Sequence, residues 1–145
     1  MSFRRMQSLG YLTNHLARLF AQELALQIKP LGIVPGQFPA LLELYEQDGQ
    51  TQKALVEKLD VEQATMANTL NRMERDGLVE RRDHAADGRA KTIHLTAKSQ
   101  AIQSEAFAAA RAANMKAMSG LSPDEQRQMI GIMQRMIASL KNANS

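Results

Sequence analysis

Residues 51–77, TQKALVEKLDVEQATMANTLNRMERDG, hold two helical patterns joined by almost nothing. In the first, Ala54, Leu55 and Leu59 face one way on a helix that Thr51 can cap. In the second, Met66, Leu70 and Met73 recur at i, i+4 and i+7. Only Leu59, Asp60 and Val61 are left for the connection, and that spacing predicts a helix-turn-helix. Asp60 sits where related turns often carry glycine, and Asp is one of the few other residues that tolerate a left-handed backbone. Gly77 is placed to end the second helix in a left-handed cap.

The flanking segments complete a mainly helical chain. Two alternating stretches, LVERR and KTIHL, bracket RRDHAADGRAK and place Ile93 and Leu95 on one face, which predicts a two-stranded hairpin packed on the helix pair. Upstream, Leu9, Leu12, Leu16, Leu19, Phe20 and Leu24 recur at helical spacing between Met6 and Ile28, and a shorter apolar helix spans the region of Phe38 to Tyr45, with Pro39 in its first turn. Downstream, Thr96 can cap an Ala-rich helix running to about Ser119. Ser122, Pro123 and Glu125 form a capping-box start for a last helix whose stripe is Met129, Ile132, Met133, Met136, Ile137 and Leu140, with the final KNANS expected to fray.

Composition narrows the chemistry. A chain of 145 residues, 44% hydrophobic and 23% charged, fits one domain, and 4% aromatics with nine Met point to an aliphatic interior. The absence of Cys removes disulfides, thiolate metal sites and thiol redox sensing. No apolar run approaches the roughly 18 residues that span a bilayer, and MSFRRMQSLGYL lacks a secretory signal's apolar segment, so a cytoplasmic location with no membrane partner is expected. His15, His84 and His94 fall on different elements, and neither a phosphate-cradling Gly loop nor an HExxH motif occurs. An enzyme is not expected, nor a cofactor or metal. A formal charge of +3 opens the possibility of an anionic partner, and only the placement of charge can decide it.

With Met66, Leu70 and Met73 inward, Ala64, Asn68, Asn71 and Arg75 turn outward, flanked by Thr65 and Arg72. Small residues followed by amides and guanidinium groups suit a helix that enters a major groove; a solvated polar face is the plain alternative.

The segment LVEKLDVEQATMANTLNRMERDGLVERR, followed by DGR and IHLT, resembles the MarR family of winged helix-turn-helix transcriptional regulators. The order of elements matches over nearly the whole chain. The resemblance implies a mainly α fold: a winged helix-turn-helix over residues 36–95 with a small β-hairpin wing, and long terminal helices over 1–35 and 96–145 forming a dimerisation region. It implies DNA contacts from Gln63, Thr65, Asn68 and Arg72, with Asp87 orienting the wing and Arg89 reaching a minor groove. An exposed charged hairpin is the competing reading of that loop. Two positions depart from the family: Glu62 stands where many relatives have Ser or Thr, and Ser99 where Gly is common.

The function implied is a homodimeric, sequence-specific DNA-binding regulator on a pseudo-palindromic operator. By the same resemblance it is a repressor relieved by a small aromatic effector, with His15 as a candidate ligand contact. The alternative is a winged-helix module for protein interaction or nonspecific DNA association.

Overall fold

A computed structural model describes residues 2–84 and 87–144, with the side chains at 84 and 87–89 outside the described residues. The first helix, α1, spans Leu9–Ile28, later than its apolar pattern suggests. Ser8 accepts a hydrogen bond from the Tyr11 N–H and caps it there, leaving Arg5–Gln7 as a separate 3-10 turn. Two further 3-10 turns, Lys29–Leu31 and Pro35–Gln37, lead into α2, Phe38–Glu46.

Next come β1 (Gln50–Thr51), α3 (Gln52–Leu59) and α4 (Gln63–Arg75). Thr51 Oγ1 accepts from the Ala54 N–H at 3.1 Å, and Asp60 adopts φ 54° between α3 and α4, as the turn requires. α4 ends at Gly77, φ 75°, where the Leu78 N–H donates to the Met73 carbonyl at 2.8 Å.

Strands β2 (Val79–His84) and β3 (Asp87–Leu95) form the antiparallel hairpin, with Val79 opposite Leu95 and Arg81 opposite Ile93. The sheet is three-stranded rather than two-stranded, because β1 pairs with β3 through Gln50–Ile93 and Thr51–Thr92. A two-residue strand is too short to show alternation in sequence. Gly49 makes the approach possible: its φ is 74°, and a Cβ there would lie 3.1 Å from His94 Cε1.

The Ala-rich helix is broken into α5 (Ala97–Ala101) and α6 (Gln103–Ala117) at Ile102, which leaves helical geometry with ψ 5°. Two separate anchors bear on the halves. Thr96 Oγ1 donates to the Gly77 carbonyl and Ser99 Oγ to the Leu78 carbonyl, both at 2.6 Å, so α5 is tied to the α4–β2 junction. α6 instead lies along α1, and Lys116 Nζ reaches Glu23 Oε2 at 2.9 Å, which together with Gln27 holds the Glu23 carboxyl below its ordinary range. The buried positions of α6 are Ala106, Ala109 and Ala113, small enough for a close helix approach. Ser99 is thus an anchor where a glycine would offer no hydroxyl.

The core gathers Ile28, Ile33, Phe38, Leu41, Leu44, Leu55, Met66, Leu70, Met73, Leu78, Val79, Ile93 and Leu95 into one cluster. Tyr45 joins it to the C-terminal helices. Its hydroxyl donates to the Ser99 carbonyl at 2.5 Å, its ring meets Phe107 edge-on at 5.4 Å, and burial pushes its pKa up to about 12.

The last helix, α7, is Pro123–Ala143 with both halves of the Ser122–Glu125 capping box formed. It continues through Lys141, Asn142 and Ala143, and Lys141 Nζ lies 3.1 Å from Asp60 Oδ2. No residue of α7 is buried within the chain, and Met129, Ile132, Met133, Ile137 and Leu140 are between 38% and 67% exposed. Leu9, Leu12, Leu16 and Leu19 on α1 are similarly uncovered. No helix among the described residues is long and apolar enough to cross a membrane.

Leu70 lies on α4 with no exposed surface. Leu70→Ala is expected to lower unfolding free energy by about 2–5 kcal/mol, read from urea denaturation; a loss below about 1 kcal/mol would mean α4 does not rest on this core.

Candidate nucleic-acid interface

α4 divides cleanly into two sides. Met66, Leu70 and Met73 are buried, while Gln63, Ala64, Thr65, Asn68, Asn71, Arg72 and Arg75 are exposed. The helix period alone accounts for this, since residues three and four apart share a face. The four site residues expected on this element, Gln63, Thr65, Asn68 and Arg72, therefore share its solvent side. Amides offer both donors and acceptors, and Arg72 offers a fork of donors, the set that can pair with base edges.

The entrance of α4 is shaped by α3. Gln52 Nε2 lies 3.3 Å from Gln63 Oε1, so one amide holds the other's oxygen and leaves the Gln63 amide nitrogen as donor. Glu62 occupies the N-cap position without a side-chain capping bond and is exposed. Its carboxylate suits the positive end of the helix and opposes a phosphate at the same place.

The exit of α4 is a polar junction. Arg75 Nε donates to Asp76 Oδ1 at 3.0 Å, Gln37 Nε2 to Asp76 Oδ2 at 2.9 Å, and Lys98 Nζ to the Asp76 carbonyl at 3.0 Å. Gln37 is 2% exposed, and its own Oε1 accepts from the Val34 N–H, so this buried amide ties α2 to the end of α4. The Arg75 hydrogen bond first, then that of Gln37, hold the Asp76 carboxyl below its ordinary value of 3.8.

Asp87 and Arg89 lie on β3 of the hairpin, and their side chains are outside the described residues. The stem of the hairpin is described. Lys91 Nζ pairs with Asp83 at 2.8 Å and holds that carboxyl low, and Arg82 pairs with Glu80. Between β1, the start of α3 and the hairpin lies an open cleft of about 370 Å³ lined by Thr51, Gln52, Lys53, Arg81, Ala90, Lys91 and Ile93.

Gln52, Lys53, Arg81 and Lys91 were not legible as site residues, because they come together only when β1 pairs with β3. Lys53 alone carries a local signal, a cation in a first turn where the helix dipole disfavours one.

His15 stands apart from these groups. It is exposed on α1, edge-on to Tyr11 at 6.3 Å. A second cavity, about 210 Å³ between α1 and α6, is lined by Leu16, Leu19, Phe20, Glu23, Ala113, Lys116 and Ala117. Among the described residues no three metal-ligating side chains come together.

Comparisons with known proteins bear on the fold. Residues 33–91 match the MarR family model. The fold is similar to a probable transcriptional regulator from Pseudomonas aeruginosa at 28% identity, with TM-score 0.85 over 92% of this chain and 99% of that one. It is similar to S. aureus MepR in a complex with DNA at 27% identity, TM-score 0.80, over 92% and 98%. A MarR transcriptional regulator from Methanosarcina mazei Go1, at 24% identity and TM-score 0.87 over 93% and 97%, shares the fold.

Because Asp76 is held below its ordinary value, its contribution to stability is present above that value and lost as pH falls through the lower folded one. Asp76→Asn is expected to reduce the acid-side decline of the melting temperature below pH about 4, read by thermal melts across pH. An unchanged decline would show that the junction carries no such linkage.

Proposed function

We propose that this chain, whose residues 33–91 match the MarR family model, is a sequence-specific, homodimeric DNA-binding repressor of that family. The observation that carries the reading is the two-sided α4, whose inner stripe is sunk in the core while Gln63, Thr65, Asn68 and Arg72 stand in solvent. Asn68 and Arg72 read base edges in a major groove, and Gln63 and Thr65 contact DNA near the helix entrance. Arg89 enters the adjoining minor groove, where narrow walls concentrate negative potential, and Asp87 orients the wing.

Residues 36–95 serve as the DNA-binding region and the terminal segments 1–35 and 96–145 as the dimerisation region. The uncovered leucines of α1 and the apolar stripe of α7 support this division, since a second copy would remove both from water. Two-fold symmetry then sets two α4 helices roughly 34–36 Å apart, one turn of duplex, on an inverted repeat. A small aromatic effector, with His15 among its contacts in the dimer, relieves repression without thiol chemistry, because the chain has no Cys.

Selection of bound duplexes from a random pool tests the core of the reading. Recovery of an inverted repeat supports it. Binding without any sequence preference would favour the nonspecific winged-helix module instead. Sedimentation of a well-folded monomer at micromolar concentration would remove the dimer.

On the selected operator, Asn68→Ala and Arg72→Ala should each weaken binding by about 1–3 kcal/mol and relax one base position. Arg89→Ala should weaken operator and unrelated A·T-rich duplex together and flatten the salt dependence by about one charge per wing. An unchanged affinity and salt slope for Arg89→Ala would return RRDHAADGRAK to a solvated hairpin.

A further inference from the structure

Arg81 occupies an unusual place for an arginine of a hairpin facing DNA. It lies two residues after the buried Val79 on β2, on the same strand face, and its side chain is only 21% exposed. Its neighbours Glu80 and Arg82 point the other way and pair with each other. Arg81 turns instead to the last turns of α4. Its Nη1 donates to Glu74 Oε1 at 3.2 Å, its Nη2 donates to Asn71 Oδ1 at 2.9 Å, and its backbone N–H donates to Glu74 Oε2 at 3.3 Å. Both oxygens of Glu74 are therefore engaged by one residue of the wing.

Two consequences follow from the chemistry of these groups. The first is mechanical: the α4–β2 connection is the short run Asp76, Gly77 and Leu78, and the Glu74 clamp adds a second tie between helix and strand. The direction in which the hairpin leaves α4 is thereby set at two points. The second concerns Asn71. A guanidinium has five donors and no acceptor, so Asn71 must present its oxygen to Arg81 and its amide nitrogen elsewhere. A free asparagine reads adenine with donor and acceptor together. Asn71, exposed on the outer side of α4, has its oxygen turned to Arg81 and its amide nitrogen available as a donor, suited to a phosphate oxygen or to the acceptors of guanine or thymine.

We propose that Arg81 is a positioning residue for DNA recognition: through Glu74 and Asn71 it holds the wing at a set direction from α4 and holds Asn71 as an outward donor, without itself touching DNA. The inference rests on the DNA-binding reading above. It separates from a phosphate contact on one measurable ground. Each cation that neutralises a phosphate adds nearly one unit to the slope of log affinity against log salt, whereas a residue that only positions others changes affinity and leaves the slope alone.

The test uses the full chain as wild type, R81A, R81K, E74Q and N71A, on the operator selected by the wild type, with affinities across salt, repeated base selection and a thermal melt for each. R81A and E74Q should weaken operator binding by about tenfold, the scale of a lost charge-assisted hydrogen bond, with the wild-type salt slope retained. R81A and N71A should relax the same base position or the same phosphate contact. R81K keeps an ammonium for Glu74 but has no fork to reach Asn71 as well, and should recover part of the affinity while keeping the R81A base preference. If R81A fails to fold, R81Q, which also removes the charge, takes its place in the same two readouts. A salt slope lowered by about one charge per protomer in R81A would make Arg81 a phosphate contact and overturn the proposal. So would wild-type affinity and base preference in R81A and E74Q. A wild-type chain that selects no duplex at all would instead remove the regulator reading on which the proposal stands.

Discussion

The depth at which one side of α4 is held governs what its other side can present. Met66 is 3% exposed and Leu70 and Met73 have no exposed surface, so the rotation of the helix about its axis is set by three side chains that have nowhere else to go. Burying side chains of this size is worth about 1.5–3 kcal/mol each. A turn of one residue about the axis, about 100°, would take at least one of them into water. Gln63, Thr65, Asn68 and Arg72 inherit their outward direction from that constraint, with no contact of their own needed to fix it.

The junctions around α4 add the remaining restraint through polar groups. Helix ends leave backbone donors and acceptors unpaired, and here several near the winged core are met by a short side chain or a left-handed residue. Thr51 closes the start of α3, Asp60 the turn, Gly77 the end of α4, and Thr96 and Ser99 reach back to the carbonyls at 77 and 78. Ser99 shows how a departure from the pattern of the family this chain resembles can be absorbed. Its side chain is wholly buried, its hydroxyl is used by Leu78, and its carbonyl is used by Tyr45, so the winged core and the C-terminal helices share one small residue.

The terminal helices follow a different logic. α6 meets α1 through alanines, which allows close approach within the chain. α7 keeps its apolar stripe in water over its length, a state that association with a second apolar face would relieve. Lys141 links the far end of α7 to Asp60 in the turn before α4. A helix proposed for dimerisation is in this way tied by an exposed ion pair to the element proposed for DNA, although such pairs contribute little to stability by themselves.

The helix-turn-helix, its caps, the inner stripe of α4 and the capping box of α7 could all be read from local pattern, because each depends on residues within one or two turns of one another. The same holds for Asp60 and Gly77, whose backbone demands are local. What the pattern missed depends on contacts between distant segments: β1 exists because Gln50 and Thr51 meet Ile93 and Thr92, and the Ala-rich helix breaks at Ile102 between an anchor on the α4–β2 junction and another on α1. The grouping of Gln52, Lys53, Arg81 and Lys91 around one cleft, and the capture of Glu74 and Asn71 by Arg81, are of the same kind. Periodicity determines which side of a helix or strand faces the core; which charged residue meets which across that core is decided only when separate elements pack, because the partners are set by distance in space and carry no fixed spacing along the chain.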